Sequence, residues 1–437
     1  MGTEGMRSEQ EGRQNFTELL GLSSIWGAFG FRESAFGFRE SALGLVMATL
    51  EAWKQVAIVK FADRAAKVAE TMTTMGISKV SIFSVLALWV CVQMDLAVAS
   101  SVSSNGHVQK YITWKDMRVD EQRLMMATTT LKSIKDVGVI VVDQHGSGHS
   151  RTVQGAVDMV PEHNTQRVKI YIYPGIYREK VVVPKTKGYV SMIGGGGRNG
   201  TVITWNSKSS DRGLDGQILG TYASATVTVE ADYFCATKLT FENSVVAVGG
   251  GNGMQAVALR VDSDRAMFYR VRIKGSQDTL LDNIGNHYFY KCFIQGKVDF
   301  IFGSAKSLYQ KCRLQSIAEN YGAIAAHHRD LPQEDSGFSF VGCTIKGTGS
   351  VYLGRAWGNY SRVIYSKCLM DDIIIPQGWT EWNHPSRKKT AVFGEYQCQG
   401  RGADRRGRVK WSKSLSYEEA RPFLSKSFIY GDKWLKL

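Results

Sequence analysis

The chain of 437 residues contains 45 glycines, 7 prolines and 43% hydrophobic residues, and 22% of its residues are charged. This balance excludes a mostly disordered chain and allows one large domain or two ordinary ones. The formal net charge of +14 favours a polyanionic partner, which could be nucleic acid, an anionic membrane face or an acidic polysaccharide. The cysteines form no CxxC pair and no His joins them at zinc-ligand spacing, so no metal site is expected.

The first predicted element is the apolar run from Ile82 to Val92, which is too short to span a bilayer comfortably. Lys79 precedes this run and an Ala-Val-Ala triplet at 97–99 follows it, as in the hydrophobic region and cleavage site of a secretory signal peptide. Because Met75 lies directly upstream, we predict a signal peptide at residues 75–99 and no stable membrane insertion. Residues 1–74 are then expected to be absent from the mature protein. A signal-anchor or a buried helix is the alternative.

Cleavage after residue 99 predicts a secreted protein that begins with an N-terminal linker segment at residues 100–136. In the secretory pathway, Asn199-Gly-Thr201 and Asn359-Tyr-Ser361 are acceptor sequences for glycosylation, so a glycoprotein is expected. Six cysteines remain in that oxidising environment.

From residue 137 to 437 the sequence consists of short β-rich runs broken by glycine, without a long amphipathic helix. One pattern recurs six times: an aromatic residue, a Thr, Val or Cys three positions later, and an aliphatic residue two further on. A constant strand pattern at variable spacing predicts an all-β parallel solenoid in which each coil supplies a strand and the loops differ in length. The copies are Phe234/Thr237/Leu239, Phe268/Val271/Ile273, Phe289/Cys292/Ile294, Tyr309/Cys312/Leu314, Phe340/Cys343/Ile345 and Tyr365/Cys368/Met370.

Four of the six central residues are cysteines, as expected where like side chains stack from coil to coil. Cys292 with Cys312, or Cys312 with Cys343, would lie within the separation that a disulfide tolerates. Free stacked thiols are the alternative, and the sequence does not select a disulfide pairing.

Two carboxylates occupy the same place in neighbouring copies. Asp278 and Asp299 each fall seven positions after the central residue of their copy, which are Val271 and Cys292. On adjacent coils they would lie roughly 4.8 Å apart along the stack. Repulsion between like charges would then raise one pKa and leave the other low, which yields one protonated acid and one carboxylate nucleophile or base. The alternative is a pair of solvated turn residues.

The position of Asp299 in the apolar run VDFIFG predicts that this residue is buried, which disfavours a solvated turn. A buried carboxylate without a partner is costly, so a cation should lie beside it. Arg355, in the segment YLGRAW, is the best candidate.

At this point five ordered segments resemble the signature segments of the plant pectin methylesterase (pectinesterase) family. They are GIYRE at 175–179, QAVAL at 255–259, GSQDT at 275–279, DFIFG at 299–303 and LGRAW at 353–357. The resemblance runs from about residue 139 to the C-terminus and implies a right-handed parallel β-helix. It also implies a carboxylic-ester hydrolase that removes methyl esters from homogalacturonan (pectin) in the plant cell wall, without a metal or organic cofactor.

Transferred by motif, Asp299 would attack the ester carbonyl as nucleophile, and Asp278 would act as acid toward methanol and then as base toward water. Gln255 and Gln277 would donate hydrogen bonds to the oxyanion. Arg355 is implied to orient Asp299.

Aromatic residues are expected around the substrate. The resemblance implies that Trp357 packs on a sugar ring, and Trp379 and Trp382 are equally compatible with the cleft and with the core. Ala356 stands where the family often has proline, which predicts a changed substrate preference.

The resemblance also bears on partners and domain organisation. Residues 100–136 are too short for the N-terminal inhibitor-like pro-domain of many members, so the type without it is expected. Proteinaceous pectinesterase inhibitors are a possible second class of partner, and the protein is expected to be a monomer that binds no nucleic acid. The basic stretch at 401–410 is interpreted as a solvated loop, with polyanion binding as the alternative.

The same sequence disfavours three competing functions. A polygalacturonase should show Asn-Thr-Asp and Gly-His-Gly segments, which are missing, and no carboxylate cluster typical of a calcium-dependent pectate lyase stands out. A non-catalytic pectin-binding solenoid is disfavoured because every catalytic residue type is in place.

Overall fold

The structure is a computed structural model that describes residues 111–120, 122, 124, 138–196, 200–247 and 253–437. Residues 1–74, the predicted signal peptide at 75–99 and the predicted acceptor Asn199 lie outside the described residues. Within the described ranges, no helix is long and apolar enough to cross a membrane.

Short strands rich in β-branched and aromatic residues make up most of the described chain. The strands are β1 (Ile112–Thr113), β2 (Val139–Val142), β3 (Val168–Ile172), β4 (Gly175–Arg178), β5 (Val181–Val183), β6 (Val190–Gly194), β7 (Thr201–Trp205), β8 (Val227–Val229), β9 (Cys235–Thr237), β10 (Leu239–Asn243), β11 (Leu259–Asp262), β12 (Ala266–Tyr269), β13 (Arg272–Lys274), β14 (Leu280–Ile284), β15 (Asn286–Tyr290), β16 (Phe293–Gly296), β17 (Ile301–Gly303), β18 (Lys306–Gln310), β19 (Arg313–His327), β20 (Gly337–Val341), β21 (Thr344–Ala356), β22 (Arg362–Ser366), β23 (Leu369–Met370), β24 (Trp379–Thr380), β25 (Val392–Tyr396), β26 (Lys413–Ser414) and β27 (Leu435–Lys436).

These strands wind into the coils of a parallel β-helix with three faces. The first face is an 11-stranded sheet in the order β2-β3-β6-β9-β12-β15-β18-β20-β22-β25-β26. The second face contains β4, β7, β10, β13 and β16, and the third contains β5, β8, β11, β14 and β17. The long strands β19 and β21 run through both of these faces and join them into one sheet. The predicted solenoid is therefore confirmed.

Aromatic side chains stack along the interior of the first face. Phe268, Phe289, Tyr309, Phe340 and Tyr365 follow one another with ring-centroid distances of 4.7, 4.6, 4.6 and 4.5 Å. All five side chains are fully buried. Since these are the aromatic positions of five predicted copies, the repeat corresponds to a core ladder along the helix axis.

The first predicted copy was wrong by two residues. In the structure Ala236, not Phe234, pairs with Phe268, and Phe241 pairs with Ile273. The sequence pattern favoured Phe234 because it is aromatic, but Ala236 faces the same interior stack with a smaller side chain.

A seventh copy was missed because its aromatic position holds a charged residue, Glu395, which pairs with Tyr365. Glu395 is buried and accepts hydrogen bonds from Arg408 Nε at 2.9 Å and from Arg405 Nη1 at 2.7 Å. The interpretation of residues 401–410 as a solvated loop is therefore wrong for Arg408, which a buried carboxylate requires as its partner.

The cysteine ladder consists of free thiols. All six cysteines in the described part of the chain are free, and the seventh copy adds Cys398 to the ladder. Each ladder thiol donates to the carbonyl of the aromatic residue one coil earlier, as with Cys292 to Phe268 and Cys312 to Phe289, both at 3.3 Å. The stacked-thiol alternative is thus the one that the structure contains.

Helical segments lie at the ends and on the outside of the coils. Helix α1 (Val153–Asp158) is capped by Thr152 and by the Glu179 carboxylate, which accepts from the backbone nitrogens of Val153 and Gln154 at 2.8 and 2.9 Å. Two further helices are α2 (Gly220–Ala223) and α3 (Tyr417–Ala420). The 3-10 helices are Trp114–Met117, Pro385–Lys389, Arg401–Ala403, Arg421–Phe423, Lys426–Ile429 and Gly431–Lys433.

Residues 111–120, within the segment that the sequence presents as a linker, pack against the C-terminal tail. Strand β1 pairs in parallel with β27. Together with the buried Trp434 and Phe428, Ile112 covers the outer side of the first face.

A buried polar network crosses the core near the catalytic region. Asp282 accepts a hydrogen bond from the Tyr309 hydroxyl at 2.5 Å and lies 2.5 Å from His287 Nδ1. His287 Nε2 also lies 2.6 Å from the Ser263 carbonyl oxygen, and all three side chains of the network are fully buried. Burial opposes a charge on the ring, but attraction and hydrogen bonding to Asp282 raise the pKa of His287 above its usual range.

Replacing Asp282 by asparagine is expected to lower the free energy of unfolding by about 3 kcal/mol at pH 6, because it leaves a buried imidazolium without its counterion. A raised folded-state pKa means that the ion pair contributes fully below the unfolded value of about 6.5 and is lost as pH rises through the folded value. The loss should therefore be smaller at pH 9. Urea unfolding at both pH values measures it, with the exposed Asp372→Asn as a control expected to change stability by less than about 0.5 kcal/mol. An equal loss at both pH values would contradict a charged His287.

Candidate active site

The two candidate carboxylates lie in successive turns between the second and third faces. Asp278 lies between β13 and β14, and Asp299 between β16 and β17. A parallel bridge joins Gln277 to Val298, and the Asp278 nitrogen donates to the Val298 carbonyl at 3.0 Å. The expectation of one register on adjacent coils is confirmed. Both aspartates have positive φ, at 60° and 47°, a strained conformation that often marks functional sites.

All six predicted site residues line one cavity of about 720 Å³ on this side of the helix. Asp299 is 1% exposed and Asp278 is 9% exposed, so both carboxyl groups lie at the floor. The lining contains Thr221, Tyr222, Gln255, Gln277, Asp278, Val298, Asp299, Phe302, Tyr321, Gly322, Ala323, Ala326, Tyr352, Arg355, Trp357, Thr380 and Trp382.

Arg355 binds Asp299 through two hydrogen bonds, from Nε to Oδ1 and from Nη2 to Oδ2. It reaches Asp299 from β21, where it pairs with Ala326 on one side and Thr380 on the other. Ala356, the position where the family often has proline, is buried beside this ion pair and does not prevent it. The guanidinium also contacts the Trp382 ring. This fork-to-carboxylate geometry fixes the orientation of Asp299.

Burial is the main cause of the raised pKa of Asp278. Removal from water raises its pKa from 3.8 to about 7, and the charge of Arg355 partly opposes that rise. The sequence prediction of one raised pKa is thus correct for Asp278, but the predicted cause, repulsion by the second carboxylate, is not the principal one. Burial likewise lowers the pKa of Arg355 to about 9, which leaves it charged at neutral pH.

The two glutamines flank the carboxylates. Gln277 precedes Asp278 in the same turn, and the Ala256 nitrogen, next to Gln255, donates to the Gln277 carbonyl at 3.1 Å. Ser209 Oγ donates to Gln255 Oε1 at 2.6 Å. Because this bond occupies the amide oxygen, the Gln255 NH₂ group is the end that is available to donate toward the cavity.

The tryptophans divide between cleft and core. Trp357 lines the cavity and packs against Phe302 and His328, with centroid distances of 5.9 and 4.8 Å. Trp382 lines the cavity and is 37% exposed. Trp379 is buried and stacks on Phe393 at 4.6 Å, so of its two open interpretations the core is the correct one.

Several residues that form the walls of the cavity belong to no motif in the sequence and were not predicted. Tyr222, Tyr321 and Tyr352 line it, and Tyr321 is 74% exposed. An aromatic ring with that exposure can pack on a sugar face. Tyr321 lies within the long β19, whose bend into the third face hides it from a repeat search. Ser209 lies in a loop before α2, where no motif drew attention to it.

Comparisons with known proteins agree with this arrangement. The Pectinesterase family model matches residues 139–432. Pectinesterase QRT1 of Arabidopsis thaliana is 55% identical over 379 residues, covering 82% of this chain and 100% of that protein.

Solved structures give the same result. Pectin methylesterase from carrot superposes with a TM-score of 0.62 and 37% identity, covering 68% of this chain and 94% of that one. A pectin methylesterase solved in complex with a hexasaccharide has a TM-score of 0.59 and 25% identity, covering 68% and 98%. The fold is the right-handed parallel β-helix of these enzymes. The chain therefore belongs to the pectinesterase family.

Proposed function

We propose that this chain hydrolyses the methyl esters of homogalacturonan with Asp299 as nucleophile and Asp278 as acid and base. As a member of the pectinesterase family it is a carboxylic-ester hydrolase that acts on pectin. The observation that carries the assignment of roles is the unlike state of the two aspartates at one register. Asp299 is held by Arg355, whereas buried Asp278 has a pKa of about 7 and forms no comparable ion pair with any described residue.

In the first half-reaction an Asp299 carboxylate oxygen forms a bond to the ester carbonyl carbon. The carbonyl electrons move to oxygen, and Gln255 and Gln277 donate hydrogen bonds to the resulting oxyanion. When the oxyanion collapses, the bond to the methoxy oxygen breaks and that oxygen takes the proton of Asp278. Methanol leaves, and the galacturonyl group remains on Asp299.

In the second half-reaction Asp278 is a carboxylate and removes a proton from water. The water oxygen bonds to the same carbonyl carbon, and the bond to Asp299 breaks. Asp278 ends protonated, Asp299 ends ionised beside Arg355, and the product is a galacturonic acid unit of pectate. Amide donors suit this chemistry because they stabilise a transient oxyanion without a net charge that would retain the anionic product.

Ser209 is proposed as a positioning residue for Gln255. Ser209→Ala should lower kcat about fivefold with little change in KM, because the freed amide no longer aims its NH₂ group at the oxyanion. Ser209→Thr, which retains a hydroxyl, should restore kcat. Steady-state methanol release by the three proteins measures the effect. A Ser209→Ala variant that changes only KM or only thermal stability would contradict this role.

Localisation and partners extend the proposal. The family and its plant relatives support a role in the cell wall, and we propose secretion by a signal peptide at residues 75–99. We also propose that Asn359, which is exposed, carries a glycan, that the protein acts as a monomer, and that proteinaceous inhibitors can bind it. N-terminal sequencing of the secreted protein should find a start near Ser100, and a retained Met1 would contradict the signal peptide.

The proposed reaction is tested by following methanol release and viscosity together on highly methylated pectin. De-esterification should release methanol without shortening the polymer, so the viscosity should not fall through chain cleavage. Falling viscosity without methanol would instead indicate a depolymerase. Neither signal from a folded protein would favour a non-catalytic pectin-binding solenoid.

A further inference from the structure

A row of cations follows the corner where each coil passes from the first face to the second. The corner ladder is Lys238, Arg270, Lys291 and Lys311, one exposed side chain on each of four successive coils. Backbone hydrogen bonds keep them in register: the Arg270 nitrogen donates to the Tyr290 carbonyl at 3.1 Å, and the Lys291 nitrogen to the Gln310 carbonyl at 3.0 Å. Successive side chains therefore leave the solenoid roughly 4.8 Å apart along its axis.

The backbone conformation at these corners does not favour lysine or arginine. All four residues have positive φ, between 54° and 56°. Glycine and asparagine adopt this conformation at lower cost than lysine or arginine. A strained position that holds the same charge on four consecutive coils points to a function for that charge.

The corner ladder borders a groove of about 680 Å³. Arg272 and Arg313 add two more cations to its lining, with their guanidinium carbons 4.4 and 5.6 Å from the centroid of the Phe293 ring between them. Among the described residues, no carboxylate forms an ion pair with any of the four ladder side chains. Arg405 and Arg408 differ from the ladder residues, because both form an ion pair with Glu395.

We propose that the corner ladder is a binding site for de-esterified homogalacturonan, separate from the catalytic cavity. This inference rests on the proposed function, whose product is a linear polymer with one carboxylate per sugar. A straight row of regularly spaced cations complements a linear polyanion, and the partly exposed Phe293 offers a ring face for a sugar. Strand β13 and its flanking residues separate Arg270 from Asp278 by eight residues, which is roughly 26 Å of extended chain.

Such a site would hold the enzyme on pectate that it has already produced while the catalytic cavity works on methylated chains nearby. Substrate that is fully methylated carries no carboxylate charge, so the ladder should distinguish product from substrate. Binding should weaken as ionic strength rises, because exposed charges are screened.

The test measures binding of fully de-esterified galacturonate oligomers to the full chain by calorimetry at low salt. The ladder variant is Arg270→Gln/Lys291→Gln/Lys311→Gln. The control variant Lys185→Gln/Lys410→Gln/Lys413→Gln removes the same charge from exposed positions outside the ladder. The ladder variant should bind the de-esterified oligomer about tenfold more weakly, and the control at most about twofold more weakly. Methanol release from short methylated oligomers should be unchanged in both.

Equal weakening in both variants would overturn the proposal, because it would show a general charge effect. Unchanged binding in the ladder variant would also overturn it and assign pectate to the catalytic cavity. A native chain that releases no methanol would instead refute the proposed function. The comparison of pectate binding between the two variants would remain valid in that case.

Discussion

Asp299→Asn is expected to lower kcat for methanol release at least about 10⁴-fold, because an amide cannot form the acyl intermediate at this position. Asp299 is 1% exposed, and both of its carboxylate oxygens accept a hydrogen bond from the Arg355 guanidinium. Among the described residues that line the cavity, Asp278 is the one other carboxylate, and it is occupied as the acid. The residual rate is measured as methanol release from methylated pectin, at a concentration of the variant far above the enzyme concentration used for the native protein.

Folding must be checked in the same variant, because Asp299→Asn leaves Arg355 partly buried without its counterion. Circular dichroism and a thermal unfolding curve separate lost chemistry from lost structure. Asp372→Asn makes the same chemical change at an exposed residue and should keep full activity. A folded Asp299→Asn protein with more than about 1% of native kcat would rule out Asp299 as nucleophile.

Asp278→Asn is expected to lower kcat by about 10²- to 10⁴-fold, the range for loss of a general acid and base. The pH dependence of kcat/KM identifies the role of Asp278 more specifically than this loss of rate does. Departing methanol needs the protonated form of Asp278, so kcat/KM of the native enzyme should fall as pH rises through about 7. The residual activity of the variant should lack that descending limb.

The direction of this limb follows from the cause of the pKa shift. Burial stabilises the neutral carboxyl, so protonated Asp278 persists well above the usual pH range of aspartate. A native kcat/KM that stays constant between pH 6 and 9, or a limb that survives in Asp278→Asn, would assign the proton to another group.

The fold was predictable because the core of a solenoid repeats its side chains at fixed positions. Five of the six predicted copies match the paired strands, and the error in the first came from choosing Phe234 over Ala236. The seventh coil escaped detection because Glu395 stands where the other coils have an aromatic ring. Its charge is stabilised by Arg405 and Arg408, which are ten or more residues away in sequence and show no local pattern.

The catalytic floor was also predictable, because Asp278 and Asp299 are close in sequence and share a register. Arg355 could be anticipated only as a required counterion, since it lies two coils further along the helix than Asp299. The walls of the cavity could not be predicted from the sequence. Tyr222, Tyr321 and Tyr352 come from three different coils, and they meet only through the folding of loops and bent strands. The corner ladder lies one residue before the central position in three of the copies, yet its meaning depends on exposure and on the left-handed backbone.

The covalent step on Asp299 is tested most directly by partitioning with hydroxylamine. Native enzyme would be assayed on methyl and ethyl esters of the same oligogalacturonate, in the presence of increasing hydroxylamine, and the galacturonyl hydroxamate and free acid would be quantified. A common acyl intermediate on Asp299 predicts one ratio of hydroxamate to acid for both esters at each concentration, because the alcohol has already left. A ratio that differs between the two esters would mean that water attacks the ester directly, and would contradict the double-displacement mechanism.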